Sequence, residues 1–426
     1  MTYSSHLINE LETNKYDHLL TDIYIDSASI EYQKQRYIAA IVRYEQLFGS
    51  GDVEIYSAPG RSEIGGNHTD HQHGEVLAAA INQDIIAIVS KTEESNVQIV
   101  SDQHAMISLN LDSLEKNLTE EGSTTALIKG ILSKAKELCY NIGGFKAYLT
   151  SDVLIGAGLS SSAAFETVIG AIISGLYNNM KISPVDVAII GQYAENEYFG
   201  KPCGLMDQMA TSIGNMIHIN FNEPKNPVIN RIDFNMEEYG YSLCIVNTKG
   251  SHSDLTEDYA AIPEEMKAVA AFFDKEVLSE VKYEDVLSNI NHIRNKINDR
   301  AVLRAIHFFE ENRRVIKEVA ALKSNNITDF LELVKLSGDS SFKYLQNIYT
   351  NNDVLHQNIS IALATSDYFL GKNGVSRIHG GGFAGTIQAF VRNEFVSTYK
   401  IKMEEIFGAN SCNVLKVRKY GGIKVL

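Results

Sequence analysis

The chain has little proline, six residues in 426, and no tryptophan. With 44% hydrophobic and 21% charged residues, its composition is that of an ordinary globular protein and argues against a disordered or fibrous one. The missing tryptophan excludes no function. Because 426 residues exceed what one hydrophobic core usually serves, we expect two domains, which could share one cleft.

Cysteine is also scarce, and its positions exclude two kinds of site. Cys139, Cys203, Cys244 and Cys412 lie far apart, and no two of them form a C-x-x-C pair. Neither a disulfide framework nor a zinc knuckle fits that spacing. We expect reduced thiols, as in the cytosol.

Positive charge is in deficit, and long apolar runs are missing. Lys and Arg number 38 against 53 Asp and Glu, a net charge of −15, so nucleic acids and anionic membranes are poor partners. No run approaches the roughly 20 apolar residues of a membrane span. The N-terminus has no basic start followed by an apolar segment, which a secretory signal needs. We therefore predict a cytoplasmic protein with no nucleic-acid and no membrane partner.

The residues that are present alternate between helical and strand patterns, which predicts a mixed α/β fold. Residues 32–52 have helical periodicity and end in a Gly/Ser/Asp turn, whereas residues 53–91 are rich in β-branched side chains and predict strands. After residue 215 the pattern changes to short strands and long charged helices, and residues 413–426 predict one final strand. We therefore predict an N-terminal domain of residues 1–215 and a C-terminal domain of residues 216–426.

The stretch Ser57–Gly74, SAPGRSEIGGNHTDHQHG, concentrates glycines, charged residues and three histidines. His68, His71 and His73 lie within six positions, with Asp70 between them. Such a cluster can bind zinc, although histidines on a loop are more often hydrogen-bonded or solvated than bound to metal. From these residues alone, both interpretations stay open.

A second stretch, Gly156–Glu166 (GAGLSSSAAFE), joins a glycine–serine loop to an apolar helix. Glycine lets backbone N–H groups approach an anion, and the helix N-terminus adds unsatisfied donors and a favourable dipole. The loop lacks the lysine of a P-loop and the third glycine of a dinucleotide fingerprint. It predicts a phosphate cradle, with a tight strand-to-helix turn as the alternative.

A third stretch, Ala194–Ala210 (AENEYFGKPCGLMDQMA), places Asp207 among glycine, leucine and methionine. Partial burial raises the pKa of a carboxyl unless a cation offsets it, which makes Asp207 a candidate general base. The alternative is a helix-capping aspartate. Cys203 is expected to be a small buried group rather than a nucleophile, because no histidine is placed to activate it.

A fourth stretch, Arg377–Val391 (RIHGGGFAGTIQAFV), sets three consecutive glycines before an alternating strand pattern. Such a run indicates that another chain segment or a phosphate approaches the backbone closely. A hairpin turn explains it equally well.

The first, second and fourth stretches, in this order, resemble the three motifs of the GHMP kinase superfamily. Within it, PGRxxxxGxHTD, CGLMDQ and RAIHFFEENRRV resemble segments of the galactokinase family, and the resemblance covers most of the chain from about residue 40. It implies an α/β (α+β) fold with a ribosomal S5-like N-terminal domain, a ferredoxin-like C-terminal domain and an active site between them. It also implies that a monomer or weak dimer transfers the γ-phosphoryl group of ATP to the C1 hydroxyl of galactose, as in the Leloir pathway, with sugar and ATP as its small-molecule partners.

The same resemblance implies roles for residues around the phosphate. Asp207 would accept the proton of the C1 hydroxyl, and Arg61 beside it would keep it ionised and stabilise the transferring charge. Mg²⁺ would be held by Ser162 and Glu195 together with ATP oxygens. The residues that would wrap the triphosphate are Gly156, Gly158, Leu159, Ser160, Ser161 and Ser162.

Further roles are implied for the sugar side of the site. Contacts to the sugar are expected from Asn67, His68, Asp70, Gly204 and Tyr259. The glycines that would pack beside the phosphate loop and support the site are Gly380, Gly381 and Gly382.

The chain departs from the family's usual pattern, G-R-x-N-x-I-G-E-H-T-D-Y-N, at several positions. Asn67 stands in place of a glutamate, Glu63 in place of an asparagine and His71 in place of a tyrosine. The family glutamate contacts the sugar's 6-hydroxyl, so Asn67 is expected to lose a charge-assisted hydrogen bond, and Asn67→Glu to tighten galactose binding. The open alternatives are a kinase for L-arabinose, galacturonate or N-acetylgalactosamine, and a catalytically silent sugar-binding regulator. His71 and His73 are expected to be turn residues.

Overall fold

A computed structural model describes residues 2–102, 104–154, 156, 158–224, 226–250, 255–383 and 385–426. Its strands are β1 (Thr2–Tyr3), β2 (Asp52–Gly65), β3 (Glu75–Lys91), β4 (Asn96–Ser101), β5 (Ile107–Asn110), β6 (Phe145–Ser151), β7 (Met216–Asn220), β8 (Val228–Ile232), β9 (Tyr241–Asn247), β10 (Gly374–His379), β11 (Thr386–Arg392), β12 (Cys412–Leu415) and β13 (Ile423–Lys424).

Helices separate and cover these strands. The α-helices are α1 (Ser4–Glu12), α2 (Asp17–Tyr24), α3 (Ile30–Phe48), α4 (Thr124–Glu137), α5 (Ser161–Asn178), α6 (Pro184–Tyr193), α7 (Met206–Ile213), α8 (Thr256–Phe272), α9 (Tyr283–Ser288), α10 (Ile290–Lys296), α11 (Asp299–Lys323), α12 (Ile327–Ser340), α13 (Asn358–Leu370) and α14 (Val396–Phe407). Two π-helical turns follow α6 and α12, at Ala194–Phe199 and Ser341–Leu345. Short 3₁₀ turns lie at Ser27–Ser29, Asp70–Gln72, Leu118–Glu120, Met236–Tyr239, Leu278–Glu280 and Asn393–Phe395.

The larger sheet has the strand order β1-β2-β3-β6-β4-β5, with β13 paired to β2 and the β7–β8 hairpin paired to β3. Successive side chains of a strand point to opposite faces of its sheet. In β3, Ile86 and Ile88 accordingly pack with helices α1 to α3, whereas Ala87 and Val89 pack with α4 and α5. The sheet is therefore covered on both faces, as its long apolar strands require.

The smaller sheet is antiparallel, with the order β10-β11-β9-β12. One face, including Val246 and Ala389, packs against helices α13 and α14. The other face, including Ile245 and Phe390, belongs to the same apolar cluster as Ala87 and Val89 of the larger sheet. This shared core holds the two sheets in one arrangement and fixes the groups that lie between them.

The C-terminal tail is divided between the two sheets. Strand β12 pairs with β9, but β13 returns to pair with β2. The prediction of one final strand over residues 413–426 was therefore wrong. The physical reason is Arg418, which is fully buried, donates from its backbone N–H to the carbonyl of Ala80 at 2.9 Å, and pairs with Asp84.

The strands after the predicted boundary do not all join the smaller sheet. Strands β7 and β8 follow residue 215 and extend the larger sheet. The division into residues 1–215 and 216–426 stays a prediction. Over the described part of the chain, none of the helices is both long and apolar enough to cross a membrane.

Candidate active site

Arg61 lies in strand β2 between two irregularities in the pairing with β3. The register shifts between Pro59 and Arg61 and again between Glu63 and Gly65. Bulges of this kind re-aim side chains and are common beside active sites. The backbone N–H of Arg61 donates to the carbonyl of Leu159 at 3.0 Å, which joins the strand to the glycine–serine loop.

Asp207 stands in the first turn of helix α7, where Arg61 holds it. Arg61 Nε donates to Asp207 Oδ1 at 2.7 Å, and Nη2 donates to Oδ2 at 2.8 Å. The remaining Nη1 donates to the carbonyl oxygen of Gly158 at 2.5 Å. Burial raises the pKa of the Asp207 carboxyl, but the Arg61 guanidinium outweighs burial and holds that pKa below its ordinary value. The pair presents an oriented, ionised carboxylate beside the loop.

The glycine–serine loop reaches helix α5 through left-handed backbone conformations. The angle φ is +74° at Gly156, +66° at Gly158 and +54° at Ser160. Ser160 occupies the N-cap position, yet its hydroxyl donates to Asp207, and no described side chain caps the helix. The first N–H groups of α5 therefore remain for an anion. Ala157, inside this loop, lies outside the described residues.

The rest of the predicted triphosphate loop continues into the helix. Leu159 is buried in the core that the two sheets share. Ser161 and Ser162 form the first turn of α5 and are partly exposed.

Two buried carboxylates, Glu195 and Glu166, share one amide. Gln208 Nε2 donates to Glu195 Oε2 at 2.9 Å and to Glu166 Oε2 at 3.0 Å, while Lys201 Nζ donates to Glu195 Oε1 at 3.1 Å. Burial, followed by the Glu195 carboxylate, raises the pKa of Glu166 well above its ordinary value. The sequence motifs assign no role to Glu166. Its position four residues after Ser162, on the same face of α5, is the signal that could have found it.

Asp70 and Gly204 meet on the sugar side of the predicted site. A Cβ built on Gly204 would clash with Asp70 Oδ2, so any larger residue there would displace this carboxylate. Burial raises the pKa of Asp70, and the carboxylate of Asp207 raises it further. A cavity of about 490 Å³ opens next to the pair and is lined by Asp70, His71, His73, Ile189, Gln192, Gly204, Leu205, Phe221 and Pro224.

His68 and Tyr259 contact the glycine turn after strand β10. Tyr259 Oη donates to the carbonyl of Gly382 at 2.6 Å, and His68 Nε2 lies 2.9 Å from the carbonyl of Gly381. Because a carbonyl only accepts, His68 carries its proton on Nε2, and burial lowers its pKa to about 4. His379, the residue before the turn, lies close to the phosphate loop. Its Nδ1 would be 3.2 Å from a Cβ built on Gly158.

Asn67 is fully buried, and its side chain is bound by protein groups. Its amide nitrogen donates to Glu63 Oε1 at 3.1 Å and to the carbonyl of Gly380 at 2.7 Å. Its amide oxygen accepts from Asn347 Nδ2 at 2.9 Å and from Ser341 Oγ at 3.3 Å. The amide thus joins the stretch after β2 to the glycine turn.

The histidines of this stretch do not converge on one point. The His68 and His71 rings are 5.6 Å apart and tilted by 59°, and the His68 Nε2–H is already engaged with Gly381. Among the described residues, no group of three or more His, Cys, Asp or Glu side chains is arranged to hold a metal ion. The geometry does not support the zinc alternative for His68, Asp70, His71 and His73.

Comparison with known proteins assigns the chain to a family. The model "Galactokinase galactose-binding signature" matches residues 42–91, and the model "GHMP kinases N terminal domain" matches residues 126–215. A galactokinase of Glaesserella parasuis is 31% identical over 370 residues, which cover 84% of this chain and 90% of that relative. The chain belongs to the galactokinase family. A galactokinase of Streptomyces coelicolor is 28% identical over 86% of this chain and 92% of its own length.

Solved structures agree with this galactokinase-family assignment at the level of the fold. Lactococcus lactis galactokinase, solved with galactose, superposes with a TM-score of 0.77 at 22% identity and covers 90% of this chain and 98% of that one. Methanococcus jannaschii mevalonate kinase superposes with a TM-score of 0.61 at 18% identity, over 86% and 99% of the two chains. The predicted family, the GHMP kinase fold class and the assignment as a sugar kinase are confirmed.

Proposed function

We propose that this galactokinase-family chain transfers the γ-phosphoryl group of ATP to the C1 hydroxyl of galactose, with Asp207 as the proton acceptor. The observation that carries the proposal is the double hydrogen bond from Arg61 to Asp207, at 2.7 and 2.8 Å. The same guanidinium contacts the carbonyl of Gly158 in the phosphate loop. The Asp207 carboxylate also lies close enough to Asp70 to raise the pKa of that residue.

The transfer is an in-line displacement. The C1 oxygen forms a bond to the γ-phosphorus, the bond from that phosphorus to the β,γ-bridging oxygen breaks, ADP leaves, and the hydroxyl proton passes to Asp207. Phosphoryl transfer has a loose transition state and relies on positioning and electrostatics rather than on a strong base. An aspartate with a lowered pKa is therefore a sufficient proton acceptor, provided that it is ionised and aligned. Arg61 keeps Asp207 ionised and orients its carboxylate.

The phosphate side of the proposal uses the N-terminus of α5. Its amides have no described side-chain cap because the hydroxyl of Ser160 is directed to Asp207. The positive φ at Gly156 and Gly158 lets this loop present backbone rather than side chains to the triphosphate. The loop has no lysine to neutralise the charge, so the dipole of α5 and a cation must do so.

Mg²⁺ fits the donor chemistry of Ser162 and Glu195, which are hard oxygen ligands. Glu166 adds a buried Oε1 with no hydrogen-bond partner among the described residues, and burial together with the nearby Glu195 carboxylate disfavours its ionised form, which a bound cation would favour. Lys201 pairs with Glu195, but the Lys201 side chain is 64% exposed, so it can turn into solvent when Mg²⁺ takes its place. When bound, Mg²⁺ neutralises phosphate charge and orients the triphosphate.

The sugar side of the proposal uses Asp70, His68 and Tyr259, with Gly204 making room for the Asp70 carboxylate. His68 and Tyr259 meet the glycine turn, Gly380–Gly382, so this turn would set the position of the sugar-facing groups. A carboxylate that accepts two adjacent hydroxyls rejects analogues that leave it unpaired.

The test is a coupled ADP-release assay over galactose, N-acetylgalactosamine, L-arabinose, galacturonate, glucose, mevalonate and homoserine, with the product identified by NMR. Galactose is expected to give the highest kcat/KM and a C1 phosphate. Release of ADP that depends on a different sugar would reassign the substrate. Binding of galactose and ATP without turnover would instead support the regulator.

A further inference from the structure

Glu63 and Asn67 stand exchanged relative to the family pattern, which has asparagine at the first of these positions and glutamate at the second. In the folded chain the two side chains touch, with Asn67 Nδ2 donating to Glu63 Oε1 at 3.1 Å. Both residues are buried. One carboxylate and one amide are thus kept in contact, with their places interchanged.

The surroundings of Glu63 favour the carboxylate there. Arg377, which is fully buried, donates from Nη2 to Glu63 Oε1 at 2.6 Å and from Nη1 to the carbonyl of Ile64 at 2.7 Å. A buried charge is tolerated when it is paired and hydrogen-bonded. The effect of burial is larger than that of Arg377 and raises the pKa of Glu63 to about 6. A second negative charge in this pocket would therefore be unfavourable.

The surroundings of Asn67 require an amide. Its nitrogen gives one proton to Glu63 and the other to the carbonyl of Gly380, which a carboxylate cannot do. Its oxygen accepts from Asn347 and Ser341. The polar atoms of this side chain therefore have protein partners, and the hydrogen bond to Gly380 ties the stretch after β2 to the glycine turn.

We infer that Glu63 and Asn67 act as one exchanged pair, in which Asn67 positions the glycine turn and the adjacent His68 rather than binding the sugar itself. This inference rests on the proposed galactose phosphorylation. It reverses the expectation that Asn67→Glu tightens galactose binding. A glutamate at position 67 would bring a second carboxylate against Glu63 and would lose the donor to Gly380, while Glu63 kept its pairing with Arg377.

The test is a double-mutant cycle read by galactose KM, kcat and thermal stability. Asn67→Glu alone and Glu63→Asn alone are each expected to raise the galactose KM by about 10- to 100-fold, because a buried partner is left unpaired. The double exchange, E63N/N67E, again pairs one carboxylate with one amide but still lacks the donor to Gly380 and the Glu63 partner of Arg377, so its KM is expected to fall below that of N67E and to stay above wild type. E63Q/N67E removes the repulsion between the two carboxylates and keeps the length of the side chain that faces Arg377, so its KM is likewise expected to lie between those of N67E and wild type.

A matched exposed pair provides the control. Asn326 Nδ2 donates to Asp329 Oδ2 at 2.7 Å on the surface. This is the same kind of amide–carboxylate hydrogen bond as that between Asn67 and Glu63, but it is exposed to solvent. Asn326→Asp is expected to change KM by less than about twofold, because solvent screens the two carboxylates. If Asn67→Glu does not fold, the same cycle is run with Asn67→Asp.

A second readout separates positioning from direct contact with the sugar. In Asn67→Ala, KM is expected to rise equally for galactose and 6-deoxygalactose, so that the ratio of their kcat/KM values stays at its wild-type level. A ratio that collapses towards one would overturn the inference, and so would a lower galactose KM in N67E or a double exchange no better than its worse single variant. Failure of the proposed function is a different result, because wild type itself would then phosphorylate no galactose.

Discussion

The Arg61 guanidinium spans both carboxylate oxygens of Asp207, with donor–acceptor distances of 2.7 and 2.8 Å. Two parallel charge-assisted bonds fix the plane of the carboxylate as well as its charge. The register shifts that flank Arg61 in β2 make this reach possible, because a regular strand would direct its side chains by strict alternation.

Replacing Asp207 by asparagine is expected to lower kcat by about 10²- to 10⁴-fold, the usual contribution of a positioned general base. The galactose dissociation constant is expected to change little, because the amide keeps the size of the carboxylate. Single-turnover phosphorylation and calorimetric sugar binding measure the two effects separately. A kcat close to wild type would remove Asp207 from the role of proton acceptor.

Replacing Arg61 by glutamine is expected to move the acid limb of the kcat/KM profile to higher pH. Burial raises the pKa of Asp207 and Arg61 lowers it, so without the cation the base is protonated, and inactive, at a higher pH. Arg61→Lys is the matched control, since it keeps the positive charge and should leave the limb nearer its wild-type position. Identical acid limbs in Arg61→Gln and wild type would contradict this account.

Gly158→Ala is expected to raise the KM for ATP by roughly 5- to 30-fold through backbone strain and crowding. Its φ is +66°, and the added Cβ would lie 3.2 Å from His379 Nδ1 and 3.3 Å from Thr386 Oγ1. Gly156→Ala is the control, because its φ is +74° but no atom of the described residues lies within 4 Å of the added Cβ. The prediction fails if Gly156→Ala proves the more damaging of the two.

Asp84→Asn is expected to lower the free energy of unfolding by about 3–5 kcal/mol, because it removes the counter-charge of buried Arg418 and leaves buried Arg36 paired with Asp152 alone. Asp84 is fully buried and accepts from Arg36 Nη1 at 2.6 Å and from Arg418 Nη1 at 2.9 Å. Tyr24 Oη also donates to it, at 2.9 Å. Urea unfolding measures the loss, with the exposed substitution Asp329→Asn as a control expected to stay within about 0.5 kcal/mol.

Glu318→Gln is expected to remove a loss of stability that wild type suffers as pH rises. Burial, followed by Glu311, raises the pKa of Glu318 to about 8, and Arg377 lowers it only in part. The unfolded carboxyl ionises near pH 4.3, so between that pH and about 8 the unfolded chain releases a proton that the folded chain retains, and the folded state loses relative stability. The drop in melting temperature from pH 6 to pH 8 should therefore be larger in wild type than in the variant. An equal pH dependence in both would contradict the raised pKa.

Much of the fold and several site residues followed from local pattern. Helix α6 begins at Pro184 after Ser183, whose hydroxyl accepts from the N–H of Asp186, as the capping rule predicts. The glycine–serine loop precedes α5, and Asp207 lies beside a cation, because such motifs encode backbone geometry within a few residues. The sequence could not place β13, since its pairing with β2 depends on Arg418 reaching Asp84 across 334 positions of the chain.

The stretch Ser57–Gly74 shows the same division. Its residue types were enough to indicate the family, and they named Arg61, His68 and Asp70 as candidates for one site. Only the tertiary structure showed that Asn67 is enclosed by Glu63, Gly380, Asn347 and Ser341. These partners lie up to 313 positions away, and a hydrogen bond satisfied by a distant chain segment leaves no periodic trace in the sequence. By itself the sequence determined the chemistry available to this protein, whereas the packing of the two sheets decided which polar atoms are free to meet a substrate and which are bound within the fold.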